Sequence, residues 1–311
     1  MKSIDLAALA PLAGRWECTS ETAVYAGPQE HGFAPFGVAI SNVSVRSAVI
    51  RATVTLPKQQ SVGRIVFGHS AETAAYFSAG IGGYHYAYLL DEYVPGTGWR
   101  ALRTEGSENN LRPGVPYNVE VRIRDRRVAL LVNAVTVLEG TLPHPIVGNR
   151  IGLFAWGDAP VEFRRFEVEV GKPQAFVVMQ FTQPYDALFD DVIAPVAVRE
   201  GFSAYRAADV HRPGVILEDI VEGLGESDVV VAEITPPNEN VFYEIGYAHA
   251  VGKPIIFLAE KSFRNKLPFD ISGHRVIFYD DTIAGKKDVE ESLRKHLASV
   301  KKAWEMLPWT V

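Results

Sequence analysis

The feature that most limits how this chain can fold is a change of hydrophobic rhythm at "VGKPQ", residues 170–174. Upstream, apolar residues recur at every second position. Ala48, Ile50, Ala52, Val54 and Leu56 alternate in "AVIRATVTL", and Tyr117, Val119, Val121 and Ile123 in "YNVEVRI". Val128, Leu130 and Val132 follow the tight "RDRR" turn, and Val161, Phe163, Phe166, Val168 and Val170 close the segment. A period of two marks strands with one face in a core and the other in water. Many short strands with no helical pattern between them predict an all-β sandwich of the jelly-roll type over residues 1–171.

Downstream the pattern is different. "AFVVMQF" (175–181) is apolar throughout, as expected of a strand buried on both faces. Tyr185, Leu188, Phe189, Val192, Ile193 and Val196 then keep helical spacing, with Gly201 placed to end the helix. A short strand near 203–207, a helix near 214–225, the buried strand "VVVAEI" (229–234) and the helix of "NENVFYEIGYAHAVG" follow. "PIIFLA" (254–259), "RVIFY" (275–279) and a final helix near 287–303 complete the series. Strands alternating with helices predict a doubly wound, flavodoxin-like α/β domain with a largely parallel sheet over residues 172–311. Such sheets take ligands beyond the carboxyl ends of their strands.

Composition removes several classes. Of 311 residues, 47% are hydrophobic and 22% charged, as in packed globular proteins. No apolar run reaches the ~18 residues of a membrane span, and acidic Asp5 in "MKSIDLAALAPLAGRW" argues against a signal peptide. Cys18 is the only cysteine, so no intrachain disulfide forms and zinc spacing is missing. A cytoplasmic protein without metal or cofactor is expected. The net charge of −6 argues against duplex nucleic acid as a partner, since that binding needs a basic footprint. Small anionic ligands stay open, because backbone donors bind them whatever the net charge.

Within the α/β half, Glu244 stands out among Val241, Phe242, Tyr243, Ile245 and Tyr247, just after the "TPPNEN" loop. That loop leaves the carboxyl end of a strand, where a ligand site is expected. Asn240 is the expected N-cap, which would put Glu244 about one turn into the helix. Two readings stand side by side: a helix-stabilising acid, or a carboxylate facing a cationic carbon centre. Met179, Gln180 and Phe181 end the first strand and are candidates for a pocket wall, against ordinary strand-end packing. Arg206 and Asp209 follow the second strand, as substrate contacts or as a surface ion pair. Asp228 and His249 read as structural, and Tyr243 as packing or ligand contact.

The segments "FVVMQF", "SDVVVAEIT" (227–235), "NENVFYEIGYAHAVGKPIIFL", "PFDI" (268–271) and "RVIFYD" (275–280) together resemble the nucleoside 2-deoxyribosyltransferase-like superfamily. That superfamily includes 2′-deoxynucleoside 5′-phosphate N-hydrolases and is structurally akin to Toll/interleukin-1 receptor (TIR) domains. The resemblance covers about a third of the chain and rests most on the Asn-x-Asn-Val-x-Tyr-Glu-x-Gly-x-Ala core. It implies that Glu244 is the catalytic acid, attacking C1′ of a nucleotide sugar or stabilising its oxocarbenium-like state. It implies an assisting acid on the preceding helix, for which Asp219 is the nearest candidate. Some members carry an aspartate six positions before the glutamate. This chain has Asn238 there, a substrate-side candidate that departs from the transferase pattern. Homo-oligomers are common in that superfamily, so self-assembly is expected, and Trp304, Leu307 and Trp309 near the C-terminus are expected to pack on another surface.

"NRIGLFAWGDAPVEFRRFEVEV" resembles the endings of concanavalin A/laminin-G-like jelly rolls. Tyr84, Tyr86, Tyr88, Trp99 and Trp156 are candidates for an aromatic platform for a glycan or a protein, or for core packing. The whole predicts a recognition or assembly domain followed by a nucleotide N-glycosidase acting on a (deoxy)nucleotide or NAD. The pairing resembles bacterial antiviral defence effectors in which a sensor governs a nucleotide-degrading domain. The competing reading is a non-catalytic nucleotide-signal binder or TIR-like scaffold.

Overall fold

The structure, a computed structural model, describes residues 2–27, 35–146, 148–207 and 216–306. The chain divides into two compact units, Met1–Gly171 and Lys172–Val311. Among the described residues no helix is long and apolar enough to cross a membrane.

The first unit is built from two antiparallel sheets. One runs in the order Val135–Thr141, Arg127–Val132, Pro116–Arg124, Ala48–Thr55, Val161–Val170, Thr22–Gly27, Arg15–Cys18, with Lys2–Ser3 added beside Val161–Val170. The other runs Gly98–Ser107, Tyr86–Val94, Tyr76–Ile81, Val62–His69, Arg150–Trp156, Phe36–Ser44, Ala10–Ala13. The period-two pattern becomes burial directly: Ala48–Thr55 alternates buried and half-buried residues along its whole length. Ile50, Val54, Val121 and Phe163 from the first sheet share one core with Ile65, Phe67, Ile81 and Leu153 from the second. In Val161–Val170 the alternation slips at Arg165, whose φ is +50°, and the register shifts between Arg164 and Glu167. This bulge carries Phe166 and Val168 back into the core. Val170, expected inside, is 56% exposed.

Val62–His69 is buried on both faces, which strict alternation does not foretell. Its even-numbered residues join a second apolar layer on the far side of the seven-stranded sheet. There Val62 and Val66 pack with Val38, Ile40, Tyr76 and Phe154 under Phe36, Trp99 and Trp156.

The second unit is a five-stranded parallel sheet with helices on both faces. Its elements are β1 (Gln174–Val178), β2 (Ser203–Arg206), α2 (Ile216–Glu226), β3 (Val229–Glu233), α3 (Glu239–Ala250), β4 (Ile255–Glu260), β5 (Val276–Tyr279) and α4 (Ile283–Met306). Between β1 and β2 lies α1, a helical segment of Tyr185–Leu188, one wide turn Phe189–Ile193, and Ala194–Arg199. The strand order is β2-β1-β3-β4-β5. Ala175, Val177, Val229 and Val231 face Phe189, Ile193, Leu293 and Leu297 of α1 and α4. Phe176, Val178, Val230 and Ala232 face Leu224, Val241, Ile245 and Ala248 of α2 and α3. The continuous apolar runs thus arise because both strand faces are covered. Gly201 (φ +85°) and Gly252 (φ +71°) follow the ends of α1 and α3 in the left-handed region that helix termination favours. At the amino edge, Asp228 Oδ2 accepts from the Gln174 amide at 2.8 Å and aligns β3 with β1.

Candidate active site

In this strand order the chain leaves β1 and β3 toward opposite faces of the sheet, the switch point beyond whose carboxyl ends sheets of this kind take ligands. The two loops that border it are tied together. Gln180 Nε2 donates to the Pro236 carbonyl oxygen at 3.0 Å. Thr235 Oγ1 accepts from the Glu260 amide at 3.0 Å, joining the same loop to the end of β4. The segment that delivers the chain into α3 is therefore held from both sides.

The cap of α3 is Asn238, not Asn240. Asn238 Oδ1 accepts from the amides of Asn240 (2.9 Å) and Val241 (3.3 Å), while Asn240 itself is exposed. This sets Glu244 in the second helical turn. Val241, Ile245 and Ala248 form the stripe that packs on the sheet, and Glu244 lies at the margin of that stripe with only 8% of its surface exposed. Among the described residues its carboxylate has no hydrogen-bond or ion-pair partner. Burial therefore raises its pKa to about 7. The positive end of α3 favours the anion, but desolvation dominates this deep in the fold.

The other candidates spread along the same edge. Gln180 and Phe181 continue from β1, with Phe181 47% exposed, whereas Met179 is buried in the core beneath α1 and α4. Arg206 ends β2 and donates from Nη1 to Asp186 Oδ1 at 2.7 Å. Its guanidinium lies over the rings of Phe189 (4.2 Å) and Phe181 (6.0 Å), so it links α1 to the loop after β1. Asp219 sits half-buried in the first turn of α2, which packs beside α3. Tyr243 projects outward and is 55% exposed. Asp209, Leu307 and Trp309 lie outside the described residues, as does the side chain of Trp304. His249 stacks on His274 with ring centroids 5.2 Å apart.

One acid escaped the sequence reading. Glu233 ends β3, is 1% exposed, and turns toward the α1/α4 face, opposite to Glu244. Its Oε1 accepts from the Thr235 amide at 2.9 Å, and Oε2 is buried with no hydrogen bond among the described residues. Desolvation raises its pKa to about 8, with a further push from Glu260. Burial and the neighbouring Glu260 and Glu233 carboxylates also drive the Tyr185 hydroxyl up, to about 12. The signal was present as the single charge inside the apolar run "VVVAEI".

No family model and no curated protein matches the chain. Among solved structures it is similar to carbohydrate binding module CBM66 from Bacillus subtilis, at 13% identity and TM-score 0.43 over 52% of this chain and 95% of that one. It is also similar to Caenorhabditis elegans galectin LEC-6, at 14% identity and TM-score 0.34 over 47% and 95% of the two chains. The Clostridium botulinum CMP N-glycosidase BcmB aligns at 19% identity and TM-score 0.30, over 40% of this chain and 97% of its own.

Proposed function

We propose that the α/β domain is an N-glycosidase that cleaves the C1′–N bond of a small nucleotide, a deoxynucleotide or NAD, with Glu244 as the reacting carboxylate. The observation that carries this reading is the state of Glu244. It is buried beside the carboxyl edge of a parallel sheet, unpaired among the described residues, and poised near neutrality. Helix-stabilising acids sit in water or in ion pairs. An acid largely withdrawn from water without a partner costs stability, and such costs concentrate where a ligand supplies the compensation.

The chemistry is balanced without a cofactor. The C1′–N electron pair leaves with the base. The ionised Glu244 carboxylate faces the developing cation at C1′, either bonding to it or stabilising it electrostatically. Water then adds its oxygen to C1′; its proton ends on the departing nitrogen of a nucleobase, or in solution when the leaving group is the nicotinamide of NAD. The products are the free base and the sugar or sugar phosphate. Asp219, on the neighbouring helix, is the assisting acid in this reading. Gln180 and the side-chain amide nitrogen of Asn238 are the donors for ribose or phosphate in this reading.

Incubating the protein with NAD and a panel of ribo- and deoxyribonucleotides tests the reading by chromatography of the released base. Release by the wild type that Glu244→Gln abolishes supports it. Tight nucleotide binding with no release across the panel replaces it with the signal-binder reading.

A further inference from the structure

We infer that Thr235 is a positioning residue: its side chain fixes the start of α3 and, through that helix, the place of the Glu244 carboxylate. The inference rests on the reading of Glu244 as the reacting group. Few residues join β3 to α3. The last bond that β3 makes to β4 runs from the Ile234 amide to the Leu258 carbonyl at 3.1 Å, and Asn238 already caps α3. Thr235, Pro236 and Pro237 lie between. Neither proline has an N–H to donate. Among the described residues, this loop makes its hydrogen bonds through Thr235 and the Pro236 carbonyl.

The three bonds do different work. The Thr235 amide donates to Glu233 Oε1 at 2.9 Å and only turns the chain back on its own strand. The bond from Gln180 Nε2 to the Pro236 carbonyl is exposed, so water competes for it. The bond from the Glu260 amide to Thr235 Oγ1 crosses to β4 and is partly buried, with Thr235 only 6% exposed. Glu260 is held in turn by α1, since the Tyr185 hydroxyl donates to its Oε1 at 3.4 Å. The Thr235 hydroxyl thus anchors the loop to a fixed neighbour. The apolar contacts of α3 do not replace this anchor. Val241, Ile245 and Ala248 hold the helix against the sheet, but apolar burial is non-directional and restrains sliding along the helix axis weakly. A hydrogen bond has a fixed length and direction, and so sets that coordinate. Glu244 stands six residues after Asn238 on the same helix, so a shift of the helix start carries the carboxylate with it. A group that must meet a single carbon tolerates little displacement; about 1 Å costs about a hundredfold in rate.

Three variants of the full chain test the assignment. Thr235→Val keeps the shape and removes the acceptor, Thr235→Ala removes it and leaves room for a water at the Glu260 amide, and Thr235→Ser keeps it. In the valine and alanine variants, kcat for base release should fall about a hundredfold while KM moves by less than about threefold. The serine variant should stay within about threefold of the wild type in both. Hydrogen exchange at the Asn240 and Val241 amides, which the Asn238 cap holds, should quicken about tenfold or more in the valine and alanine variants and not in the serine one. A residue that only supports the fold would lower the melting temperature and leave kcat unchanged well below it. Unchanged exchange in both the valine and alanine variants, or unchanged kcat in both beside an active wild type, overturns the assignment. A wild type inactive on every nucleotide of the panel removes the base-release reading alone, and the exchange at Asn240 and Val241 then decides whether Thr235 holds the helix.

Discussion

Glu233 and Glu244 belong to one strand–loop–helix unit yet are buried on opposite faces of the parallel sheet, 1% and 8% exposed. Both carboxyls are held well above their ordinary range, at about 8 and about 7. Their surroundings differ. Glu233 accepts a backbone hydrogen bond and lies near Glu260 and Tyr279. Glu244 answers only to burial. The first is wired into the scaffold and the second is left open, which divides their expected effects between stability and reaction.

Replacing Glu244 by Gln removes the ionisable oxygen with almost no change in volume. Base release should fall by about a thousandfold or more, as when a covalent or charge-stabilising group is lost. Unchanged nucleotide affinity would locate the loss in the reacting step. Retained release in this variant would move the chemistry to another residue.

The wild-type pH profile follows from the same carboxyl. Only the ionised form can face a cationic carbon, and Glu244 ionises near 7. Base release at limiting substrate should therefore climb about tenfold per unit below 7 and level off above it. A profile flat from pH 5 to 8 would remove Glu244 from the reacting role.

Glu233 predicts a stability profile of definite sign. Its folded-state value of about 8 lies above the ordinary 4.5. Below 4.5 both states hold the proton. Between 4.5 and about 8 the unfolded chain releases it first, so stability falls as pH rises, by up to about 1.4 kcal/mol per unit. Above about 8 the loss is complete. Glu233→Gln keeps the bond from the Thr235 amide and removes the titration, so it should raise the melting temperature of the α/β unit at pH 8 and flatten its pH dependence. A lower melting temperature at pH 8 would mean that the anion is stabilised in the fold.

The fold was legible where one physical rule acted alone. Alternation marked Ala48–Thr55 and Pro116–Arg124, because each has one core face. Apolar runs marked β1, β3 and β4, because helices cover both faces. The sequence misled where tertiary structure intervened. Val170 keeps the parity of Phe166 and Val168 but stands at the end of the strand, past the core those two residues enter. Val62–His69 is buried on both faces by an aromatic layer assembled from distant strands. Asn238 and Asn240 are chemically equivalent caps, and only the path of the loop from β3 chooses between them. At the site, Glu244 was visible as a charge in an apolar frame. Glu233 stood in an equally apolar frame, but the strand rhythm alone did not reveal that its carboxyl is sealed in.

The position of α2 tests whether the α2–α3 helix pair is set by close packing. Gly223 lies against the sheet, and a Cβ there would come within 2.5 Å of the Phe176 ring. Phe176 is fully buried in the α2/α3 core and cannot yield easily. Gly223→Ala gains helix propensity of about 1 kcal/mol, but overpacking at such a contact costs about 1–3 kcal/mol. Forced outward, α2 takes Asp219 with it, away from α3. The variant should therefore unfold at slightly lower denaturant and lose base release by a larger factor than its stability explains. Gly225 has open space at the same point of its Cβ, one helical step away from the sheet. Gly225→Ala is the matched control, expected to be neutral or stabilising with activity intact. Equal behaviour of the two variants in denaturant titration and in base release would show that the Phe176 contact does not position the helix.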